Sequence, residues 1–254
     1  DVETGEQTGS LTGHLDWVAD ADFNSDGSQL VTYHRNGDVT LWDVASQSAV
    51  KTIETYTLGG GWVQFMPDDR TVALRLGEYV FGTLETESGA ITRLYGRHMS
   101  TYNLFSEQYT QFPARSDLIF ITVAPSPDGR MLAAATGNDE VVLIDTASGE
   151  ERTLRPKSEE PARYAIRALY FSSDGSTLTY YDQNDDQVHR WDVAAGTELG
   201  AYALPGGAFA VSPDETWSAW ADRETNTVYW VESMVLDARE RELELPENLR
   251  IAPN

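Results

Sequence analysis

The residues able to do chemistry are few and scattered. Four histidines, His14, His34, His98 and His189, stand far apart, and none has a second base or ligand at a motif spacing. The chain has no cysteine, so thiolate zinc sites, disulfides and cysteine nucleophiles are excluded. It contains no Gly-x-Ser-x-Gly elbow, no phosphate-binding loop and no His-Glu-x-x-His pair. The acidic run Asp182-Gln183-Asn184-Asp185-Asp186 invites a calcium reading. It lacks the spaced oxygen ligands and closing bidentate Glu of an EF-hand loop, so a solvated hairpin turn is expected there. No catalytic residue, metal or cofactor is assigned, and binding is the expected mode of action.

Charge narrows the partners. Asp plus Glu number 41 against 18 Lys plus Arg, a formal net charge of −23. Such a field repels phosphate backbones and anionic lipid, which leaves proteins or peptides, cationic ones favoured, and argues against nucleic acid. No window approaches the ~18 uninterrupted apolar residues of a membrane span, so no membrane insertion is expected.

The elements that must position any binding residues announce themselves as a repeat. A turn of Ser-Pro-Asp-Gly type recurs as Asn24-Ser25-Asp26-Gly27, Met66-Pro67-Asp68-Asp69, Ser126-Pro127-Asp128-Gly129, Ser172-Ser173-Asp174-Gly175 and Ser212-Pro213-Asp214-Glu215. A partial copy, Ala252-Pro253-Asn254, ends the sequence, and from Asp26 the spacings are 42, 60, 46, 40 and 40. Pro presets φ, Asp bonds nearby backbone and Gly accepts positive φ, the chemistry of a tight β-turn. Short alternating runs flank each copy, for example Val18 to Phe23 before the first and Gln29 to Tyr33 after it. A third strand ends in Leu41-Trp42-Asp43, Ile144-Asp145 or Arg190-Trp191-Asp192, and a fourth follows. Four antiparallel strands in about 40–45 residues make one β-propeller blade.

On Trp42-Asp43, Trp191-Asp192 and the Gly13-His14 dipeptide, the sequence resembles the WD40-repeat family over essentially its whole length. The resemblance implies an all-β fold of about five full blades plus partial terminal ones, and a non-catalytic scaffold role within a larger protein. Residues 1–9 are expected to end a preceding blade. Blades are expected at 13–54, 55–95, 117–156, 157–203 and 204–246, an inserted loop at 96–116, and the first strand of a further blade at 247–254. In blade five the Trp-Asp position falls on Tyr229-Trp230-Val231-Glu232 in preference to Val235-Leu236-Asp237, with 234–245 open between a decorated turn and a short helix. The lost Trp-Asp and polar residues of several blades resemble divergent bacterial members.

The resemblance also implies a buried hydrogen-bond network, here His14, Thr32, Asn36 and Trp42, with Asn36 standing where the family has Asp. The third blade carries Ala134, Asn138 and Ile144 at the matching places, and the fourth carries Tyr180. Partner contacts are expected from the aromatic insertion, Tyr102, Phe105, Tyr109 and Phe112, although packing of that loop onto the blades is the competing reading. Trp17, Trp62, Arg163 and Tyr164, at strand entries, would share its rim. Alternatives of other classes are an accessory propeller of a peptidase or TolB-like periplasmic protein, and a small-ligand or glycan binder.

Overall fold

Each tight turn fixes a hairpin. In a computed structural model of the chain, Gly27, Gly129 and Gly175 adopt φ of 71, 69 and 72°, each donating its amide to the residue three positions back. The turn Asp then caps the next amide, as Asp174 does for Ser176 at 2.9 Å. That amide and the Ser172 hydroxyl hold the Asp174 carboxyl down to about 2. Asp69 replaces glycine in the second turn and bears φ of 54°. Its carboxylate offsets the strain by accepting the Ser25 amide at 2.8 Å and the Ser25 hydroxyl, which ties the turns of neighbouring blades together. Gly175→Ala is expected to destabilise by about 1–2 kcal/mol, the cost of a Cβ in a left-handed backbone. The added methyl would meet only Pro127 at an ordinary 3.5 Å, so urea denaturation would read conformational cost alone.

The structure describes residues 4, 6–55, 61–76, 80–96, 110–112, 120–156, 165–203, 208–211, 217–222, 227–232 and 250–251. These residues form an all-β chain whose sheets have the antiparallel order of propeller blades. Two compact units divide it, Asp1–Phe120 and Ile121–Asn254. In the first unit, one sheet is β1 (Val18–Phe23), β2 (Gln29–His34), β3 (Val39–Asp43) and β4 (Ser48–Ile53). The next is β5 (Val63–Phe65), β6 (Thr71–Arg75), β7 (Val80–Glu85), β8 (Ile91–Gly96) and β9 (Thr110–Phe112). The second unit has β10 (Phe120–Pro125) to β13 (Glu151–Arg155) through β11 (Met131–Thr136) and β12 (Val141–Asp145). It continues with β14 (Ile166–Phe171), β15 (Thr177–Asp182), β16 (Gln187–Asp192) and β17 (Thr197–Ala203). The last sheet is β18 (Ala208–Val211), β19 (Trp217–Asp222), β20 (Thr227–Glu232) and β21 (Arg250–Ile251).

Central strands are buried at successive positions, as all six residues of β15 are. Simple alternation belongs to half-buried sheets, whereas strands covered on both faces read as continuous apolar or small-polar runs. The first unit's core interleaves Val31, Tyr33, Val39 and Leu41 with Val63, Phe65, Val72 and Leu74 across the two sheets.

Three features depart from the sequence expectations. The stretch expected as an inserted loop supplies β9, which pairs in parallel with β8 from Arg93↔Thr110 to Tyr95↔Phe112. The free edge of β8 gains backbone partners that way. Arg250 and Ile251, expected to open a new blade, instead pair with Trp230 and Tyr229 as the fourth strand of the last sheet, satisfying the outer edge of β20. Residues Glu6 to Trp17 carry no strand, and residues 1–3 and 5 of the stretch expected to end a preceding blade lie outside the described residues. β20 places Tyr229-Trp230-Val231-Glu232 on the third strand of its sheet, as preferred from the spacing.

Candidate functional site

The polar network of the first blade is built by period two. Thr32 and His34 lie two residues apart on β2, so both face the side that Trp42 of β3 occupies. Trp42 Nε1 donates to Thr32 Oγ1 at 2.9 Å, and Thr32 Oγ1 lies 3.3 Å from His34 Nε2. His14, carried in from the segment ahead of β1, places Nδ1 3.2 Å from the same His34 nitrogen. Its ring also lies 4.6 Å from the Trp42 ring. The network is therefore His14, His34, Thr32 and Trp42. Asn36 instead donates its carboxamide to Asp38 at 2.6 Å, a bond two residues along the same turn that needs no tertiary alignment.

A model of the "WD domain, G-beta repeat" matches residues 5–43, the stretch that supplies all four members of this network. Residues 5–43 of the chain thus carry a WD40 repeat. The chain is similar to the WD repeat-containing protein SL1-17 of Schistosoma mansoni, 25% identical over 187 residues, or 72% of this chain and 53% of that protein. It is also similar to two proteins of Schizosaccharomyces pombe. Pre-mRNA-processing factor 19 is 26% identical over 125 residues, 46% of this chain and 25% of that protein. The periodic tryptophan protein 2 homolog is 26% identical over 153 residues, 58% of this chain and 18% of that protein. The matches thus span about half the length of the first relative and less of the other two.

A later blade solves the same burial problem differently. Trp191 Nε1 of β16 donates to the Tyr180 hydroxyl of β15 at 3.2 Å, so a phenol stands where the first blade uses Thr32. Burial pushes the Tyr180 phenol up, which keeps it a neutral partner for the indole. Arg155, at the end of β13, lies 5.7 Å from the Tyr180 ring centroid and pairs with Asp182 at 2.6 Å. Asp182 is fully buried, so this ion pair links one blade to the next inside the second unit. Beside it, fully buried Asp139 accepts the Ala165 amide and the Asn184 carboxamide. The third blade keeps an apolar version, with Ala134 and Ile144 at 0% and 1% exposure.

The acidic turn is more than the solvated hairpin expected of it. His189 stacks on Tyr180 and holds Glu198 Oε1 at 2.6 Å on one nitrogen and Asp185 Oδ2 at 3.0 Å on the other. Asp186 accepts the Tyr181 hydroxyl at 2.7 Å. Asp182, Asp185 and His189 bring one ligand atom each within 4.8 Å of the others. A cation there would compete with the Arg155–Asp182 ion pair and with the hydrogen bonds of His189 to Asp185 and Glu198.

Between the first two blades, β1 turns two carboxylates onto β5. Asp20 accepts the Val63 amide at 2.9 Å and Asp22 the Phe65 amide at 2.8 Å. Burial is the main cause that raises both above the usual carboxylate range, and Asp22 reaches about 6. A folded value above the unfolded one means stability present at low pH and lost as pH rises through about 6. Asp22→Asn, which keeps an acceptor but cannot ionise, should raise stability at pH 7.5 and flatten this dependence between pH 4 and 7. Denaturation midpoints of the two proteins across that range check it.

The other face of β1 is bare. Leu15, Trp17, Val18 and Phe23 are 73%, 77%, 44% and 56% exposed. Trp17 is thus placed for contact. Trp62, expected on the same rim, is only 8% exposed and packs 5.9 Å from Phe81, because strand entry turns its ring into the second blade's core. Tyr102, Phe105, Tyr109, Arg163 and Tyr164 lie outside the described residues, as does the side chain of Phe112 on β9. The sequence reading named His34 and Asp182 without giving either a place in a buried network, and it did not single out Arg155. A period-two count from Thr32 marks His34, whereas no local signal marks a partner one blade away.

Proposed function

We propose that this WD40-repeat chain is a non-catalytic scaffold that binds a protein or peptide, as part of a larger protein. The observation that carries the reading is the exposure of four large apolar side chains on β1 and just ahead of it, Leu15, Trp17, Val18 and Phe23. Exposed apolar clusters of this kind mark interaction sites, and a Trp supplies the buried area of an anchor. The net charge of −23 favours a partner that surrounds its apolar anchor with Lys or Arg. The relatives are larger proteins named for WD repeats or for pre-mRNA processing, in keeping with a module of a larger protein. The aromatic insertion, with Tyr102, Phe105, Tyr109 and Phe112, offers a second contact region, joined by Arg163 and Tyr164.

The test is affinity capture with the full chain from its own cells, compared between the natural protein and Trp17→Ala. Trp17→Ala is expected to weaken the recovered partner at least tenfold, the loss of one anchor of about 2 kcal/mol, and to leave stability nearly unchanged because the ring is exposed. Undiminished capture by both Trp17→Ala and a chain lacking residues 97–115 would remove both surfaces from the proposal.

A further inference from the structure

The His14–His34 contact has a property that the Trp42–Thr32 hydrogen bond beside it does not require. Two ring nitrogens 3.2 Å apart share one proton, donated by one ring and accepted by the other. With both rings fully protonated, two N–H groups would point at each other: His34 Nε2 could turn only to Thr32 Oγ1 at 3.3 Å, which already accepts from Trp42, and the Nδ1–H of His14 would lose its acceptor. We propose that the His14–His34 pair is an acid-operated latch, in which protonation of both imidazoles releases His14 and the segment that precedes β1 from the face of the first blade. The inference does not depend on which partner the blade binds.

The surroundings set which ring yields. His34 is fully buried, and its Nδ1 has no hydrogen-bond partner among the described residues. A charged His34 would therefore bury an N–H donor without an acceptor, a state that opening relieves. Burial, and then the His14 charge, hold His34 below the usual imidazole range, while Asp38 and Asp16 pull the other way. Asp16 lies on the segment that carries His14, and Asp38 on the turn into β3. On this face β1 offers Val18, β2 Thr32, β3 Thr40 and Trp42, and β4 Thr52, none of which titrates in the range. Arg35, next after His34, is exposed.

The segment is also tied to the first blade by the Arg35 amide, which donates to Trp17 O at 2.9 Å, and by the Ser10 amide, which donates to Gln47 Oε1 at 3.3 Å; the Arg35 bond, nearer His14, is the one to follow. When His14 leaves, the indole face of Trp42 that it covers at 4.6 Å loses its lid. A folded value lowered below the unfolded one makes the closed state stable at neutral pH and lost as pH falls, opposite in sign to Asp22.

Imidazole resonances and amide hydrogen exchange, followed by NMR on the full chain from pH 7.5 to 5, test the latch. Asp22→Asn serves as the background, so that the opposing carboxylate is silent. His34 is expected to titrate below the ordinary ~6.5. The opening constant at Arg35, corrected for intrinsic exchange, should rise toward tenfold per pH unit once pH falls below that value, one proton being taken up on opening. In His34→Gln, which keeps a hydrogen-bonding group for His14 but has no titrating ring, the rise should vanish. Titration of His34 at the ordinary value, unchanged Arg35 protection down to pH 5, or the same acid response in His34→Gln overturns the proposal. Should His34→Gln fail to fold, the titration and exchange of the His34 protein decide it alone.

Discussion

Arg155→Met is expected to destabilise the second unit by about 3–5 kcal/mol, the cost of leaving a buried charge without its partner. Asp182 is fully buried and meets Arg155 at 2.6 Å, and its other contact is the Asn184 amide at 2.9 Å. Arg155 itself is largely enclosed, and its guanidinium also approaches Tyr180, the hydroxyl partner of Trp191. Losing it therefore strips one charge and loosens the support of a buried ring. Asp182→Leu alone should cost a similar amount, because it strands the guanidinium instead. The double variant Arg155→Met with Asp182→Leu should lose clearly less than the two singles together, since an apolar pair needs no compensation. Urea denaturation of the four proteins, followed by circular dichroism, gives the coupling. Additive losses would show that the pair contributes through packing and not through its charges.

Trp42→Ala is expected to cost about 3–5 kcal/mol, the range for emptying a buried aromatic site. Trp42 is 1% exposed, bonds Thr32 and lies against His14, so its removal leaves a cavity and takes the support from a ring above it. Trp42→Phe separates the terms, since it fills most of the volume and loses only the indole N–H, worth about 1 kcal/mol. Trp191 occupies the same place in its own blade but is only partly buried and bonds a phenol at 3.2 Å. Trp191→Ala should accordingly cost less than Trp42→Ala. Thermal and urea unfolding of the three variants rank them, and an equal cost for both Trp-to-Ala changes would refute the argument from burial.

The scaffold of these sites was legible because it is local. A turn such as Ser172-Ser173-Asp174-Gly175 closes its hairpin with bonds spanning at most five residues, so its sequence is sufficient to predict it. The Trp-Asp pairs likewise mark the third strands β3 and β16. The network members were legible only in part. Asn36 sits at the expected spacing, yet its carboxamide has a nearer acceptor in Asp38, and His34 takes the position beside Thr32. Trp62 was expected on the rim because it stands at a strand entry, whereas its burial comes from Phe81 on another strand.

By itself, then, the sequence determined that this chain is a series of four-stranded blades of strongly acidic character, with Trp42 and Trp191 ending third strands. Those properties depend on composition, on turn chemistry and on residues a few positions apart. Tertiary structure decided the rest: that His14 reaches His34, that Arg155 finds Asp182 across a blade boundary, that β9 adds itself in parallel to β8, and that Trp17 stays bare while Trp62 is covered. Apart from the exposure of Trp17, each is a contact between residues of different strands or segments 17 or more positions apart. Register and burial select such contacts only once neighbouring sheets are packed, and no spacing along the chain encodes them.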